Sequence, residues 1–343
     1  MKLTHLRVQN FRTHSEFSLN IGEGSTLILG KNGSGKTSLL EAIYFALRGT
    51  SFRSSDKEIL KNYGAADWFR IDLAGDNQTR VVKFDNSRAS GKKTFEIDGK
   101  KSHRLSNSDK RPVILFEPDD LQLLSGSPNR RRDFLDKFLS QIFPSFSTIL
   151  SRYNKALKQR NNLLKREILT PDEIFPWNVM LAEYAAEIIS RRHHLVNILN
   201  EKIEDTYFKI SKVRDEIEII YQAEELSKDN ILRILESNFE RDRILGHTSF
   251  GPHKDDLSFI FNGKEAQSVA SRGENRSLVL ALKFIETDFL AENSDFKPIV
   301  LLDDVFSELD EIRQKMLTEH FGRYQTIITS TSGVEVSGGV VRI

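Results

Sequence analysis

The segment Gly30-Lys-Asn-Gly-Ser-Gly-Lys36-Thr37 meets the pattern Gly-x-x-x-x-Gly-Lys-Ser/Thr at every position, directly after the apolar run Thr26-Leu-Ile-Leu29. Strand, glycine-rich turn and helix start in this order are the context that a phosphate-binding loop requires. The glycines let backbone N–H groups converge on phosphate oxygens, and the helix beginning near Lys36 adds the positive end of its dipole. Gly30, Lys31, Asn32, Gly33, Ser34, Gly35, Lys36, Thr37 and Ser38 are therefore the expected nucleotide contacts. Lys36 is expected at the β- and γ-phosphates, and the Thr37 hydroxyl on Mg²⁺.

The 343 residues leave room for two domains with real cores. Fifty basic against forty-nine acidic residues leave a formal charge of +1, so any nucleic-acid contact must come from local patches. Arg130-Arg-Arg132 and the stretch Lys155 to Arg166 are such patches. Cysteine is absent, which excludes disulfides, thiolate metal sites and cysteine nucleophiles. No apolar run approaches a membrane span and no export signal follows Met1, so a cytoplasmic protein without membrane contact is the expectation.

Alternation in residues 2–8 and 15–21 reads as two strands joined by the turn Asn10 to His14. The helix after the phosphate loop should reach about Leu47, and Trp68 to Ile97 is strand-rich, with turn signals over Lys83 to Gly91 and at Asp98-Gly99. Arg111 to Phe116 is a short apolar strand. From Pro128 to about Ser211 the chain turns charged and helical in period, interrupted only at Thr170 to Pro176. A strand follows at Glu216 to Tyr221 and a helix over Ser227 to Arg241, and from Thr248 onward the texture is that of an α/β domain. One α/β nucleotide-binding domain split by a helical insertion is the architecture implied: a first half over 1–127, a helical arm over 128–245 and a second half over 246–343.

Ile299-Val-Leu-Leu302 ends in Asp303-Asp304, the pattern of a buried parallel strand delivering two carboxylates at its C-terminal end. Such a pair requires a cation or proton partner. Asp303 is the expected companion of Thr37 in the Mg²⁺ shell, and Asp304 the group that orients or deprotonates the attacking water. Upstream, Ser271-Arg-Gly-Glu-Asn-Arg276 opens a strongly helical stretch. Ser271 and Gly273 at a helix N-terminus make a second expected anion contact.

With these strings in view the chain resembles ABC-type ATPases of the SMC and RecF kind. Leu6-Arg-Val-Gln-Asn-Phe-Arg12, the phosphate loop, Gly126-Ser-Pro128 with Arg130 to Leu135, Gly251-Pro-His-Lys-Asp-Asp-Leu257, the Ser271 segment and Leu301 to Asp310 carry the resemblance. It implies an ATPase head with a helical second domain that forms a homodimer on ATP. Ser271 of one copy then reaches the γ-phosphate held by Lys36 of the other, with Asp310 at the interface and Arg12 near the nucleotide. It also implies slow hydrolysis that releases the dimer. The implied DNA targets are single-/double-strand junctions and gapped duplexes, and the implied partners are RecO, RecR and RecA. The residues proposed for DNA are Arg130, Arg131, Lys155, Lys158, Arg160 and Lys165.

Two departures stand out. Arg272 and Glu274 replace both glutamines of the usual Ser-Gln-Gly-Gln signature. No switch histidine follows Thr326-Ile-Ile-Thr-Ser330, leaving Thr329 or Ser330 as stand-ins, and no residue is an unambiguous glutamine-loop glutamine, Gln122 being a weak candidate. The alternatives weighed are an SMC-like tether, for which the helical stretch is too short and irregular, a transporter subunit, which lacks a coupling motif, and a small-molecule kinase, which leaves Ser271 and Asp310 without a role.

Overall fold

The computed structural model of the chain describes residues 1–61, 66–89, 92–333 and 338–343. Ser90 and Gly91, the end of one expected turn, lie outside the described residues. The chain divides into two compact units, Met1–Leu121 with Glu286–Ile343, and Gln122–Ile285.

The first unit begins with β1 (Leu3–Phe11), β2 (His14–Asn20), β3 (Ser25–Leu29), α1 (Lys36–Arg48), α2 (Asp56–Lys61), β4 (Trp68–Gly75), β5 (Thr79–Asp85), β6 (Lys93–Ile97), β7 (Lys100–Ser102) and β8 (Val113–Phe116). The second unit comprises α3 (Pro128–Ile142), α4 (Phe146–Leu163), α5 (Pro171–Ser211), β9 (Ile217–Tyr221), α6 (Lys228–Ser237), α7 (Phe239–Leu245), β10 (Leu257–Phe261), β11 (Lys264–Glu265), α8 (Ala266–Val269) and most of α9 (Arg272–Asn293). The chain then supplies β12 (Ile299–Asp303), α10 (Glu311–Phe321), β13 (Thr326–Ser330) and β14 (Gly339–Arg342) to the first unit.

Two sheets build the first unit. One is antiparallel, in the order β2-β1-β4-β5-β6-β7, and the other is parallel, in the order β14-β3-β13-β12-β8. Leu3, Leu6, Val8 and Phe11 of β1 point into the core, and the turn to β2 is made by Arg12 in the left-handed region at φ 56°. α1 is buried almost all round. Its Leu39, Ile43, Phe45 and Leu47 join one apolar cluster with Phe69 and Val82 of the antiparallel sheet and with Leu301 and Ile327 of the parallel one. Phe69 stacks on Phe84 with ring centroids 5.4 Å apart and meets Phe11 edge-on at 5.3 Å. Each such fully buried side chain contributes on the order of 1.5–3 kcal/mol. That burial holds the phosphate-loop helix in place against both sheets.

The second unit is helical with a three-stranded antiparallel sheet, β11-β10-β9. α5 runs for 41 residues, about 60 Å at 1.5 Å per residue. Its start explains the break expected at Thr170 to Pro176. The Glu173 side chain accepts the Thr170 N–H at 2.9 Å in a capping box, and Pro171 occupies the first helical position. Pro176 lies inside the helix, just past the first turn, where it removes the backbone bond that its N–H would give to the Asp172 carbonyl. The interruption occupies 164–170, just before the expected position, and with a second break at Phe143 to Ser145 it separates three helices.

The expected return to the nucleotide domain at 246 falls inside this second unit, which extends to Ile285. The reason is the register of β10, whose Leu257 to Phe261 pairs antiparallel with Tyr221 to Ile217. Alternation there is the period of a two-sided strand in an antiparallel sheet, not the start of a parallel β–α unit.

Candidate nucleotide-binding site

The C-terminal ends of β3, β12 and β13 lie side by side in the parallel sheet, and the phosphate loop leaves β3 there. Ligands bind outside the carboxyl ends of strands in open α/β sheets. A cavity of about 290 Å³ opens at this point, lined by Arg12, Thr13, Asn32, Gly33, Gly35, Lys36, Thr37, Ser38, Arg53 and Asp304.

The loop geometry demands its glycines. Gly35 adopts φ 95°, and a Cβ there would sit 2.4 Å from His14 Nε2. A Cβ on Gly30 would sit 2.7 Å from Ser34 Oγ. Lys36 is largely buried, and its ammonium donates to the carbonyls of Gly30 at 2.8 Å and Lys31 at 3.0 Å, folding back across the loop. Lys31 and Asn32 are exposed, whereas the Ser34 hydroxyl is buried without a hydrogen-bond partner.

The acidic pair lies beside the loop. Thr37 Oγ1 donates to Asp303 Oδ1 at 2.9 Å, across 266 residues of sequence. Asp304 takes a left-handed conformation, φ 51° and ψ 23°, which few non-glycine residues adopt without cause. Its Oδ1 is buried and has no hydrogen-bond partner. Burial pushes the Asp304 carboxyl above the usual carboxylate value and Asp303 adds to this, while Lys36 and the Thr331 backbone N–H oppose it. A buried, unpartnered carboxylate oxygen facing a phosphate loop is available to a water or a cation. Thr37 and Asp303 offer two adjacent oxygens that fit Mg²⁺, a cation that takes few protein ligands and completes its shell with water and phosphate oxygens.

Arg12 lines the cavity, but its guanidinium is committed to Glu41 of α1, with Nε on Oε2 at 2.9 Å and a second bond to Oε1 at 2.5 Å. Glu41 is fully buried and also accepts the Ser51 hydroxyl at 2.5 Å. Arg53, 3.9 Å from the same carboxylate, escaped the sequence reading because it sits in no motif. Its free donors, unlike those of Arg12, remain at the cavity.

Ser271 and Gly273 belong to the second unit. Ser271 is exposed and starts α9 in a reciprocal capping box, its N–H on Glu274 Oε2 at 2.6 Å and the Glu274 N–H on Ser271 Oγ at 3.2 Å. The Ser271 hydroxyl thus accepts within the helix and keeps its proton to donate elsewhere. Asp310, in the first unit, caps α10 by accepting the Arg313 N–H at 2.9 Å and pairs with the Arg313 side chain. Gln122 closes a short turn with its carbonyl, accepting the Gly126 N–H at 2.7 Å.

Two of the proposed DNA contacts are corrected. Arg160 is fully buried, bonding Asn178 at 2.7 Å, Asp242 at 2.7 Å and Thr248 at 2.8 Å. Arg131 is buried in a bidentate pair with Asp256, at 2.7 and 2.8 Å. Helical spacing shows which residues share a face but not which face is inward. Lys155, Lys158 and Lys165 are exposed, and Arg130 is half-buried.

The sheet order, the phosphate loop after β3 and the carboxylate pair at the end of β12, one strand removed, define a P-loop ATPase, and a family model described as an AAA domain matches residues 5–316. The DNA replication and repair protein RecF of Natranaerobius thermophilus is 35% identical, over 99% of this chain and 94% of its own length. That of Carboxydothermus hydrogenoformans is 33% identical, over 98% and 96%. The chain belongs to the RecF family. A solved structure of the recombination mediator protein RecF with ATP, in the RecFOR pathway, superposes with a TM-score of 0.86 at 30% identity, covering 99% of this chain and 95% of that one. An SMC head bound to the C-terminal winged-helix domain of ScpA has a TM-score of 0.55 at 14% identity, covering 100% and 94%, a likeness of fold. Among the described residues no helix is long and apolar enough to cross a membrane.

Proposed function

We propose that this chain is an ATP-dependent DNA-binding clamp of recombinational repair and replication. The observation that carries the reading is the meeting of Thr37 with Asp303 beside a cavity lined by both Lys36 and Asp304, whose Oδ1 has no hydrogen-bond partner. In this reading Lys36 binds the terminal phosphates, Thr37 and Asp303 hold Mg²⁺, and Asp304 accepts a proton from the attacking water. Mg²⁺, when bound, neutralises phosphate charge. The raised Asp304 carboxyl is a better base than an exposed one.

ATP brings two copies together, with Ser271 of one donating to the nucleotide of the other and Asp310 at the contact. DNA-stimulated hydrolysis releases them. The family resemblance supports a role at single-/double-strand junctions and gaps, with RecO and RecR, in loading RecA. For the DNA backbone the exposed Lys155 and Lys158 on α4 and Lys165 beyond it supply charge without sequence readout.

The test is fluorescence anisotropy of a gapped duplex at one moderate salt concentration, with and without Mg-ATP. The expected result is a rise that needs ATP and disappears in Lys36→Ala. Equal anisotropy in all conditions, with tight ATP binding retained, overturns the clamp and returns the small-molecule kinase.

A further inference from the structure

We propose that Thr329 is a positioning residue of the hydrolytic site: its buried hydroxyl holds the Asp303 carboxylate against Thr37 and ties down the backbone of Asp304. The inference rests on the ATPase reading above and concerns how that site is kept in order. Thr329 lies on β13, opposite Asp303 in the parallel register, and is fully buried. Its Oγ1 is 2.6 Å from Asp303 Oδ1, and the Asp304 N–H is 3.0 Å from the same Oγ1. A carboxylate oxygen accepts and a backbone N–H donates, so both roles of the hydroxyl are fixed. Its single proton goes to Asp303 and a lone pair takes the Asp304 N–H.

Two consequences follow. Asp303 Oδ1 receives two hydroxyl protons, from Thr329 and from Thr37 at 2.9 Å, and so cannot swing away from the phosphate loop. Asp304, in its left-handed conformation, has its N–H held from the β13 side by both the hydroxyl and the carbonyl of Thr329, the latter at 3.1 Å. The next residue extends the tie, because the Ser330 carbonyl accepts the N–H of Gly30, the first residue of the phosphate loop, at 3.2 Å. Consecutive residues of one strand thereby fix the acidic pair and the loop relative to each other. The expectation that Thr329 replaces a switch histidine gives way to this role, since its only proton is already committed to Asp303.

A merely structural threonine, chosen for a strand interior, would be replaced by valine without chemical consequence. The test compares Thr329→Val and Thr329→Ser in the full chain. Steady-state hydrolysis is followed across Mg²⁺ concentration, and binding of a fluorescent ATP analogue is measured in EDTA. Groups that orient metal ligands typically contribute about 10–100-fold to activity or metal affinity. Thr329→Val is expected to lower kcat and raise the half-saturating Mg²⁺ within that range, with metal-free nucleotide affinity unchanged. Thr329→Ser restores both. Wild-type kinetics in Thr329→Val, an equal loss of metal-free affinity, or a serine variant as poor as valine would each overturn the assignment. Unfolding of both Thr329→Val and Thr329→Ala would also overturn it, by making the hydroxyl a stability element. A wild-type chain that binds Mg-ATP and never hydrolyses it removes the ATPase reading itself, whereas wild-type turnover matched by the valine variant removes this inference alone.

Discussion

The two signature segments of the chain, the phosphate loop of the first unit and Gly251-Pro-His-Lys-Asp-Asp256 of the second, are equally conspicuous in sequence and opposite in what they do with their polar groups. Around the second, most bonds close on themselves, although the Ser249 hydroxyl beside it is buried without a partner. The Tyr153 hydroxyl meets His253 Nδ1 at 2.6 Å, and His253 Nε2 meets the Thr248 carbonyl at 3.1 Å. Arg192 pairs with Asp136 and donates to the Pro252 carbonyl at 2.7 Å. Around the first, Ser34 Oγ and Asp304 Oδ1 are left without partners and the Lys36 ammonium rests on two carbonyls. Buried groups without partners cost about 1–3 kcal/mol each and persist where a ligand completes them. What sets the first apart is that one of its open groups is a carboxylate oxygen of a cavity-lining residue, whereas the second leaves open the neutral Ser249 hydroxyl.

The largest expected effect comes at the site. Asp304→Asn should lower ATP turnover by about 10²–10⁴-fold, the range of general-base catalysis. Nucleotide binding should persist and the melting temperature should hold or rise, since a buried carboxylate with one oxygen left without a partner has been neutralised. Unchanged hydrolysis would reassign the base, and a large loss of stability would break the contrast between the two segments.

The mirror experiment is Arg160→Ala in the second unit. Arg160 and Asp242 are both fully buried, so the variant strands a carboxylate in the interior. Breaking such a pair costs about 3–5 kcal/mol, read by denaturant unfolding, while the double replacement Arg160→Met with Asp242→Leu recovers much of the loss. A single variant as stable as wild type would mean that the interior of this unit is wetter than its geometry implies.

How much of this was legible follows the same division. The phosphate loop and the Asp303-Asp304 pair were readable because local sequence fixes them: glycines that cannot carry a Cβ, and an apolar strand that must end where its carboxylates begin. Arg160 was misread because its helical spacing is identical for an inward and an outward face, and partners distant in sequence, such as Asp242, 82 residues away, decide between them. The expected boundary at 246 differs from the limit of the compact unit for a related reason. The partner of β10 is β9, and strand pairing is not encoded within either segment alone. Arg53 carried no signal, since a lone arginine in a polar loop is what any surface contains.

A smaller effect tests whether the second segment is as closed as it looks. Burial pushes His253 down to about 4 from an ordinary value of 6.5, so the folded chain holds it neutral. A carbonyl can only accept, so Nε2 carries the proton and the Tyr153 hydroxyl donates to Nδ1. Between those two values the unfolded chain binds a proton that the folded chain refuses. The contribution is therefore present above about pH 6.5 and is lost as pH falls toward 4, by about 3 kcal/mol at most. Asp136 and Asp255, both raised by burial, act in the opposite direction, so the comparison must be with His253→Gln. The wild type should lose stability over that window relative to the variant. Parallel pH profiles would mean that water reaches the imidazole.

The smallest effect concerns the altered signature. Glu274 stands where the family usually has glutamine, and here it closes the capping box with Ser271. Glutamine serves the same box, so Glu274→Gln should change stability by no more than a few tenths of a kcal/mol, whereas Glu274→Ala should cost about 1 kcal/mol. Because the glutamine variant preserves the helix start while removing one negative charge, any tightening of ATP-dependent assembly, measured by sedimentation, is attributable to that charge alone. Assembly unchanged in glutamine and weakened in alanine would instead show that the residue acts by presenting the Ser271 hydroxyl. The exposed helix start would then resemble the first unit's site in leaving a donor for a partner, and the scaffold of the second unit would end where α9 begins.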